Sequence, residues 1–469
     1  MPRRRAALAR RRPGCRHDTA RRHVGHDAVG GPQSAVSTYD VAVVGLGPTG
    51  ATMALALGRR GHRVVVFERS TEPYSMPRAC HLDAEVARIL ARHGLEDDLH
   101  DLLTESAGME YVDGDGVRLF TFEGFERAPL LGWHEDYVFV QPELEEVMRR
   151  HLTALPSVEI RLGVEAPSLD DLRSMARFVV ACDGASSGVR QQLGVPLRDL
   201  VYDEPWLVVD VMLDREPEPP LPDIIQQVCD PARLATFVPS HGAHRRWEFL
   251  LAEGEDPDPW TLLERWGVTP AHGTLVRAVR YRFHALVAEQ WRVGTVFLAG
   301  DAAHMMPPFM GQGLCSGVRD ADNLAWRLDE VLGGADEPVL DGYATERRAH
   351  AEQVIAMSVD AGRTLARLAA DPTDLPQPSA PDPTRWSRLP GLDLGGDFPV
   401  GHQLPQPDRL DDRLPTWCWV ASDATFVPRD GRPVVVEPRA TYGHRAVLVR
   451  PDRYIAAVVS EGAAPAAGA

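Results

Sequence analysis

The chain has 469 residues with 67 acidic and 50 basic side chains, and every basic one is arginine, because lysine is absent throughout. Without a lysine amine, Schiff-base and pyridoxal-phosphate chemistry, a P-loop lysine and a kinase strand lysine are all excluded. The formal charge of −17, with 44% hydrophobic and 25% charged residues, is the balance of a globular protein of two or three packed units.

Residues 1–38 hold nine Arg and two Asp, which leaves −24 for the remainder. They read as a disordered Arg-rich tail, because no apolar run of roughly 7 to 15 residues follows the Arg clusters as an export signal requires. A start codon near Val36 would leave this tail untranslated. The acidic body argues against a nucleic-acid partner, and no apolar stretch reaches the roughly 20 residues that span a bilayer. Six cysteines lie far apart with no C-x-x-C pair, the pattern of a reducing cytoplasm rather than of a zinc site or disulfide framework.

Ordered structure is expected from Tyr39. A short β-branched run, Tyr39 to Val44, meets Gly45-Leu46-Gly47-Pro48-Thr49-Gly50 and a helical stretch from Ala51 to Arg60, after which Arg63 to Phe67 forms a second buried strand ending on Glu68. Gly45 permits the tight turn, Gly47 admits a pyrophosphate close to backbone, and Gly50 lets the helix pack on the strand. Glu68 stands where an acid accepts from a ribose 2′-OH, which fits FAD or NAD alike. A third strand runs into Cys182-Asp183-Gly184-Ala185-Ser186-Ser187-Gly188-Val189-Arg190. Five short strands follow, at Trp206 to Leu213, Ile224 to Val228, Leu234 to Val238, Trp247 to Leu251 and Val276 to Phe283, and should form a sheet. Arg233, Arg245 and Arg246 in that region are candidates for a substrate carboxylate, since an arginine fork matches it. Next, Val296 to Ala299 delivers Gly300 and Asp301 to a glycine-rich helix start at Gly311-Gln312-Gly313, a placement that lets Asp301 hold a ribityl hydroxyl and backbone N–H groups face a flavin.

With these motifs in order, the chain resembles the FAD-dependent aromatic hydroxylases, single-component flavoprotein monooxygenases of the p-hydroxybenzoate hydroxylase fold. The resemblance rests on G-x-G-x-x-G at Gly45 to Gly50, D-G-x-x-S-x-V-R at Asp183 to Arg190 and G-D-A-A-H-x-x-P-P at Gly300 to Pro308. Met76-Pro77-Arg78-Ala79, Gln141-Pro142-Glu143, Gly311 to Gly317 and Arg450-Pro451-Asp452-Arg453-Tyr454 make it most similar to the 3-(3-hydroxyphenyl)propionate hydroxylase branch. It implies an α/β fold: a Rossmann-like FAD-binding domain of the glutathione-reductase type (39–200 and 285–370), an inserted β-sheet substrate domain (201–284), a Pro-rich linker (371–392) and an abbreviated C-terminal thioredoxin-like domain (393–469).

The resemblance further implies that Gly45, Gly47, Pro48, Thr49 and Gly50 cradle FAD and that Glu68, with Arg69 beside it, meets the adenosine ribose. It puts Arg78 at the pyrophosphate, Gln141, Gly300 and Asp301 at the flavin or its ribityl chain, and Gly311, Gly313, Leu314 and Cys315 at the pyrimidine edge. Asp183 and Arg190 belong to a motif credited with both FAD and NAD(P)H. His304 and Pro308 are the catalytic candidates, although His304 follows directly on a buried strand, where a structural role is the commoner one. The implied reaction uses NADH or NADPH, O₂ and a C4a-hydroperoxyflavin to hydroxylate a small aromatic substrate.

Two departures from the family pattern stand out. Gly163 to Ala176 gives only a brief polar stretch in place of a hairpin, and Cys315 replaces an asparagine. Strand-like runs recur at Pro433 to Glu437, Ala446 to Val449 and Tyr454 to Val459, and Cys418, unable alone to perform dithiol exchange, is assigned to packing or to a homodimer contact. The alternatives are a non-catalytic FAD-binding protein and a tailoring hydroxylase of a polyketide-type product. A halogenase is set aside, because its lysine is missing and Trp417-Cys418-Trp419 lies in the C-terminal region.

Overall fold

The computed structural model describes residues 38–75, 78–122, 131–376, 403–404, 407–421, 431–436 and 445–460. The Arg-rich tail before Thr38, Met76-Pro77 and the proline-rich stretch from 377 lie outside the described residues. Strands Tyr39–Val44 and Val64–Glu68 are β-branched runs buried on both faces, as a parallel sheet covered by helices requires. They lie side by side with Val43 opposite Val66, and Ala176–Ala181 takes the other flank with Val180 opposite Val43. The sheet continues to Val158–Leu162 on one side and to Val296–Leu298 on the other, all parallel, with the short antiparallel strand Arg292–Val293 at that edge. Helices Pro48–Gly58 and Gln312–Leu332 pack on one another over this sheet. The stretch expected to be merely polar contains the helix Leu169–Met175, capped by the Ser168 hydroxyl, which accepts from the Asp171 N–H.

A second sheet of eight strands roofs the first. Its centre is a pair of long antiparallel strands, Leu197–Leu213 and Gly273–Ala288, followed by His244–Leu250, Ala235–Val238 and Ile225–Cys229. All five expected strands occur, and the two long ones run through residues 200 and 284 without a break. Two further strands that the pattern did not suggest, Met109–Asp113 and Arg118–Phe122, extend the roof from within the first sheet's portion of chain. At its other edge Gly273–Ala288 pairs with His304–Met305, immediately after Asp301. An aromatic cluster fixes roof to floor: Trp206 stacks on Phe283 at 5.7 Å and meets Phe309 edge-on at 5.3 Å between ring centroids.

Beyond residue 403 the described residues form a four-stranded sheet, Val434–Val436, Cys418–Ala421, Arg445–Val449 and Ile455–Ser460. Cys418 is buried among Leu404, Leu410 and Val420, which agrees with a packing role. Ionic contacts join this sheet to the rest of the chain. Arg88 binds Asp411 through two bonds of 2.7 Å, and Arg450 binds Glu346 through two of 2.9 Å while also reaching Asp452. Glu85 accepts from Arg319, Gln403 and the Tyr454 hydroxyl. Burial alone would raise Glu346, but Arg450 and Arg327 outweigh it and hold the carboxyl at about 2; Arg88 likewise outweighs burial to hold Asp411 at about 2.

Removing one member of such a buried pair strands its partner in low dielectric, at a typical cost of about 3–5 kcal/mol. Arg450→Met should therefore lower the unfolding free energy in urea by about that amount. Because Glu346 and Asp411 titrate below the unfolded value of about 4, their stabilisation is complete above that pH and is lost as pH falls toward 2. Stability measured against pH should show that acid slope, shallower in Arg450→Met.

Candidate active site

The cavity forms where the C-terminal ends of strands Tyr39–Val44, Ala176–Ala181 and Val296–Leu298 meet, and three sharp turns make the meeting possible. Gly45 has φ +95°, and a Cβ there would stand 2.3 Å from the Cys182 carbonyl oxygen; one on Gly50 would stand 2.0 Å from the Gly45 carbonyl oxygen. Gly300, at φ +61°, brings the third turn against Thr49, leaving 2.6 Å between a Cβ and the Thr49 hydroxyl oxygen. Gly47 faces open space instead, because it borders a cavity of about 450 Å³ that extends to the roof.

Ten of the cofactor and catalytic candidates line that cavity: Gly47, Pro48, Thr49, Arg78, Gln141, Asp301, Pro308, Gly311, Gly313 and Leu314. Arg78 forms no ion pair with a described carboxylate; its guanidinium lies over the Tyr74 ring at 4.4 Å. Gln141 accepts from the Ala79 N–H at 2.7 Å and donates to Glu145, which orients it at the head of helix Gln141–Thr153. Asp301 opens to the cavity, and the protein mass around it, ahead of the Asp320 charge, raises its carboxyl above the ordinary value. Gly45, Gly50 and Gly300 build the turns without lining the cavity. Glu68 lies just behind the first turn, accepting from the Leu46 N–H at 2.8 Å and from the Ser70 N–H at 2.9 Å, while Arg69 is exposed. Cys315 is buried one turn into helix Gln312–Leu332, its thiol 3.7 Å from the Gly311 carbonyl oxygen.

Several candidates sit elsewhere. Arg190 is buried and commits its guanidinium to the carbonyls of Ala302 and Ala185, tying the second motif to the third. Asp183 accepts from the Val189 N–H through Oδ2 and keeps Oδ1 buried without a partner. His304 does not line the cavity: it stacks on Trp291 at 5.3 Å and shares Asp320 with the Gly300 N–H and with Arg347. That network positions the Gly300-Asp301 turn. Two of the three candidate substrate arginines also point away. Strand alternation puts Arg245 on the outer face, bonded to Glu216 and to nearby carbonyls, and Arg233 pairs with Glu255.

The third, Arg246, faces inward with Arg277, which sequence reasoning did not single out, and both flank the fully buried Asp210. Arg246 Nε donates to Asp210 at 2.8 Å, Arg277 Nε stands 2.9 Å from its other oxygen, and His244 binds it at 2.8 Å. Glu248, Gln227 and Thr236 lie on the same face, one ladder row along. Burial raises the Glu248 carboxyl, and Arg246 opposes that rise. The polar lining also includes His81, whose Nε2 lies 2.6 Å from Asp136 and whose Nδ1 lies 3.3 Å from the Gly311 carbonyl oxygen. Burial works against a charge there, yet Asp136 outweighs it and holds His81 well above its usual range. With acceptors at both ring nitrogens, the imidazolium is the form that fits.

The FAD binding domain family matches residues 38–358. A probable NADH-specific resorcinol 4-hydroxylase of Rhodococcus jostii (strain RHA1) is 38% identical over 71% of this chain and 66% of its own length. A 3-(3-hydroxy-phenyl)propionate/3-hydroxycinnamic acid hydroxylase of Comamonas testosteroni is 34% identical over 71% of this chain and 60% of its own. The chain thus spans less than two thirds of the length of these relatives. The crystal structure of aklavinone-11 hydroxylase with FAD and aklavinone superposes with a TM-score of 0.73 at 24% identity, covering 92% of this chain and 97% of that one, a likeness of fold.

The residues at the cavity suit FAD. Helices Pro48–Gly58 and Gln312–Leu332 both begin there with neither a side-chain cap nor an acid in the first turn, leaving N–H groups and positive dipole ends for an anionic or carbonyl-bearing ligand. Arg78, which pairs with no described carboxylate, adds a cation to the same cavity. Gly300→Ala, which must shift Thr49, should lower the fraction of flavin retained after purification at least threefold. Adding Thr49→Ala should restore part of it, the rest being lost to a left-handed backbone penalty of about 1–2 kcal/mol. Flavin absorbance per folded protein measures both.

Proposed function

The chain belongs to the FAD binding domain family, and on that premise we propose that it is an NAD(P)H-consuming hydroxylase of phenolic aromatic rings. The carrying observation is the continuity of one cavity, from the Gly47-Pro48-Thr49 turn past Asp301 and Gly311 to the inner face of the roof. When bound, FAD supplies hydride acceptance from NAD(P)H and the activation of O₂. The first N–H groups of helix Pro48–Gly58, with Arg78, would hold the pyrophosphate, Glu68 would serve the ribose, and Asp301 would accept from ribityl hydroxyls. The N-terminus of helix Gln312–Leu332 would offer N–H groups to the pyrimidine edge, and the His81 imidazolium beside Gly311 would add positive charge at the same place.

Tyr281, Phe283 and Phe309 line the middle of the cavity and exclude water from the reacting ring. Pro308 and Phe309 shape the wall facing the roof. His304 acts as a positioning residue through Asp320, not as an acid or base. The whole is read as a glutathione-reductase-type domain with an inserted substrate sheet, and the C-terminal sheet as the remainder of a thioredoxin-like unit without redox cysteines. The free thiols Cys80, Cys182, Cys229, Cys315 and Cys418 suit a reducing cytoplasm.

The purified protein should be yellow, and a phenol panel should accelerate its oxidation of NADH or NADPH severalfold, with a product 16 mass units heavier than the phenol. Bound FAD with no phenol-stimulated turnover would instead establish a binding protein without hydroxylase activity.

A further inference from the structure

The roof end of the cavity carries polar groups that neither cofactor binding nor the Asp210 cluster satisfies. Arg277 is 4% exposed, and although its Nε lies 2.9 Å from Asp210, neither that nitrogen nor its Nη1 has a hydrogen-bond acceptor among the described residues. Glu248 is 7% exposed, borders the same cavity, and makes no side-chain hydrogen bond with a described residue. The ladder register fixes their relation: Asp210 lies between Arg246 and Arg277 on adjacent strands, and Glu248 pairs with Val208, two residues along from Asp210 on its strand. Both residues therefore border the cavity from neighbouring rows of one sheet face.

The charge count decides what they receive. Arg246 and Arg277 are matched in number by Asp210 and Glu248, so these four groups on the roof face offer an anionic ligand no net positive charge. A carboxylate offers acceptors only; it would satisfy Arg277 but place a third acid among two arginines in a buried site. A hydroxyl both accepts and donates, and it satisfies the guanidinium and the carboxyl together without adding charge.

We propose that Arg277 and Glu248 form a subsite for a neutral hydroxyl on the substrate ring, so that the chain takes dihydroxybenzene-type substrates in preference to aryl carboxylates. This inference rests on the hydroxylase reading. Gln227, fixed by the Thr236 hydroxyl at 2.8 Å, borders the subsite and limits its depth. The outward Arg233 and Arg245 take no part.

The test is titration of the flavin-loaded protein with resorcinol and with 3-(3-hydroxyphenyl)propionate, following flavin absorbance, in the wild-type protein and in Glu248→Leu and Arg277→Met. The expected result is at least tenfold tighter binding of resorcinol to the wild-type protein. Glu248→Leu should lose at least tenfold for resorcinol while holding or improving its affinity for the carboxylate. Tighter binding of the carboxylate by the wild-type protein, abolished in Arg277→Met, overturns the subsite while leaving the hydroxylase reading intact. Equal affinities overturn it as well. Binding of neither, with no phenol stimulating NADH or NADPH oxidation, overturns the hydroxylase reading and the subsite with it. The wild-type comparison stands even where a variant fails to fold.

Discussion

The structure depends on three backbone turns brought closer than any side chain would allow. Gly45 lies against the Cys182 carbonyl, Gly50 against the Gly45 carbonyl, and Gly300 against Thr49, with Gly317 of the long helix closing on the same hydroxyl. These contacts pull the ends of three parallel strands to one point, which is where an open α/β sheet places its ligand crevice. Both uncapped helix starts are aimed there because each helix follows one of these turns. A Cβ at Gly45 or Gly300 would push a turn outward and take the helix start, and the floor of the cavity, with it.

Around that point the chain uses charge where many cores use apolar contact alone. Asp320 holds the Gly300 N–H, His304 and Arg347, and Asp83 and Glu85 hold Arg319. In a lysine-free chain the buried cations other than histidine are guanidiniums, whose planar fork can satisfy two acceptors at once and is less strongly hydrated than an ammonium. Buried pairs of this kind offset their own desolvation through geometry, so they specify where elements sit more than they raise net stability. Arg190 places elements in the same way through backbone carbonyls rather than a carboxylate: its two bonds join separate motifs.

Much of this was legible in the sequence, and what was not has physical reasons. The glycine motifs, the buried strands and the five roof strands follow from period and turn chemistry, which are local. Met109–Asp113 escapes such reading because its partner in the roof, Ile225–Cys229, lies over a hundred residues away, and Arg118–Phe122 reaches the roof only by pairing with Met109–Asp113. Arg245 and Arg246 are indistinguishable by type, and only the register against Asp210 determines that the second faces inward. Arg277 and Glu248 sit in the middle of expected strands, yet their convergence depends on the order of strands across the sheet. Arg190 and His304 belong to recognisable motifs, but a motif records that a residue recurs, not whether its side chain reaches the ligand or holds the turn that does.

Strand Gly273–Ala288 carries Arg277 near one end and, by pairing with His304–Met305, grips the turn beside Asp301 near the other. A single strand thus spans both ends of the cavity. Roof and floor cannot swing apart as two plates on a hinge without tearing a ladder paired on both edges. The distance between the two ends of the cavity is therefore set by the pleat of the strand, as a fixed gauge rather than an adjustable jaw.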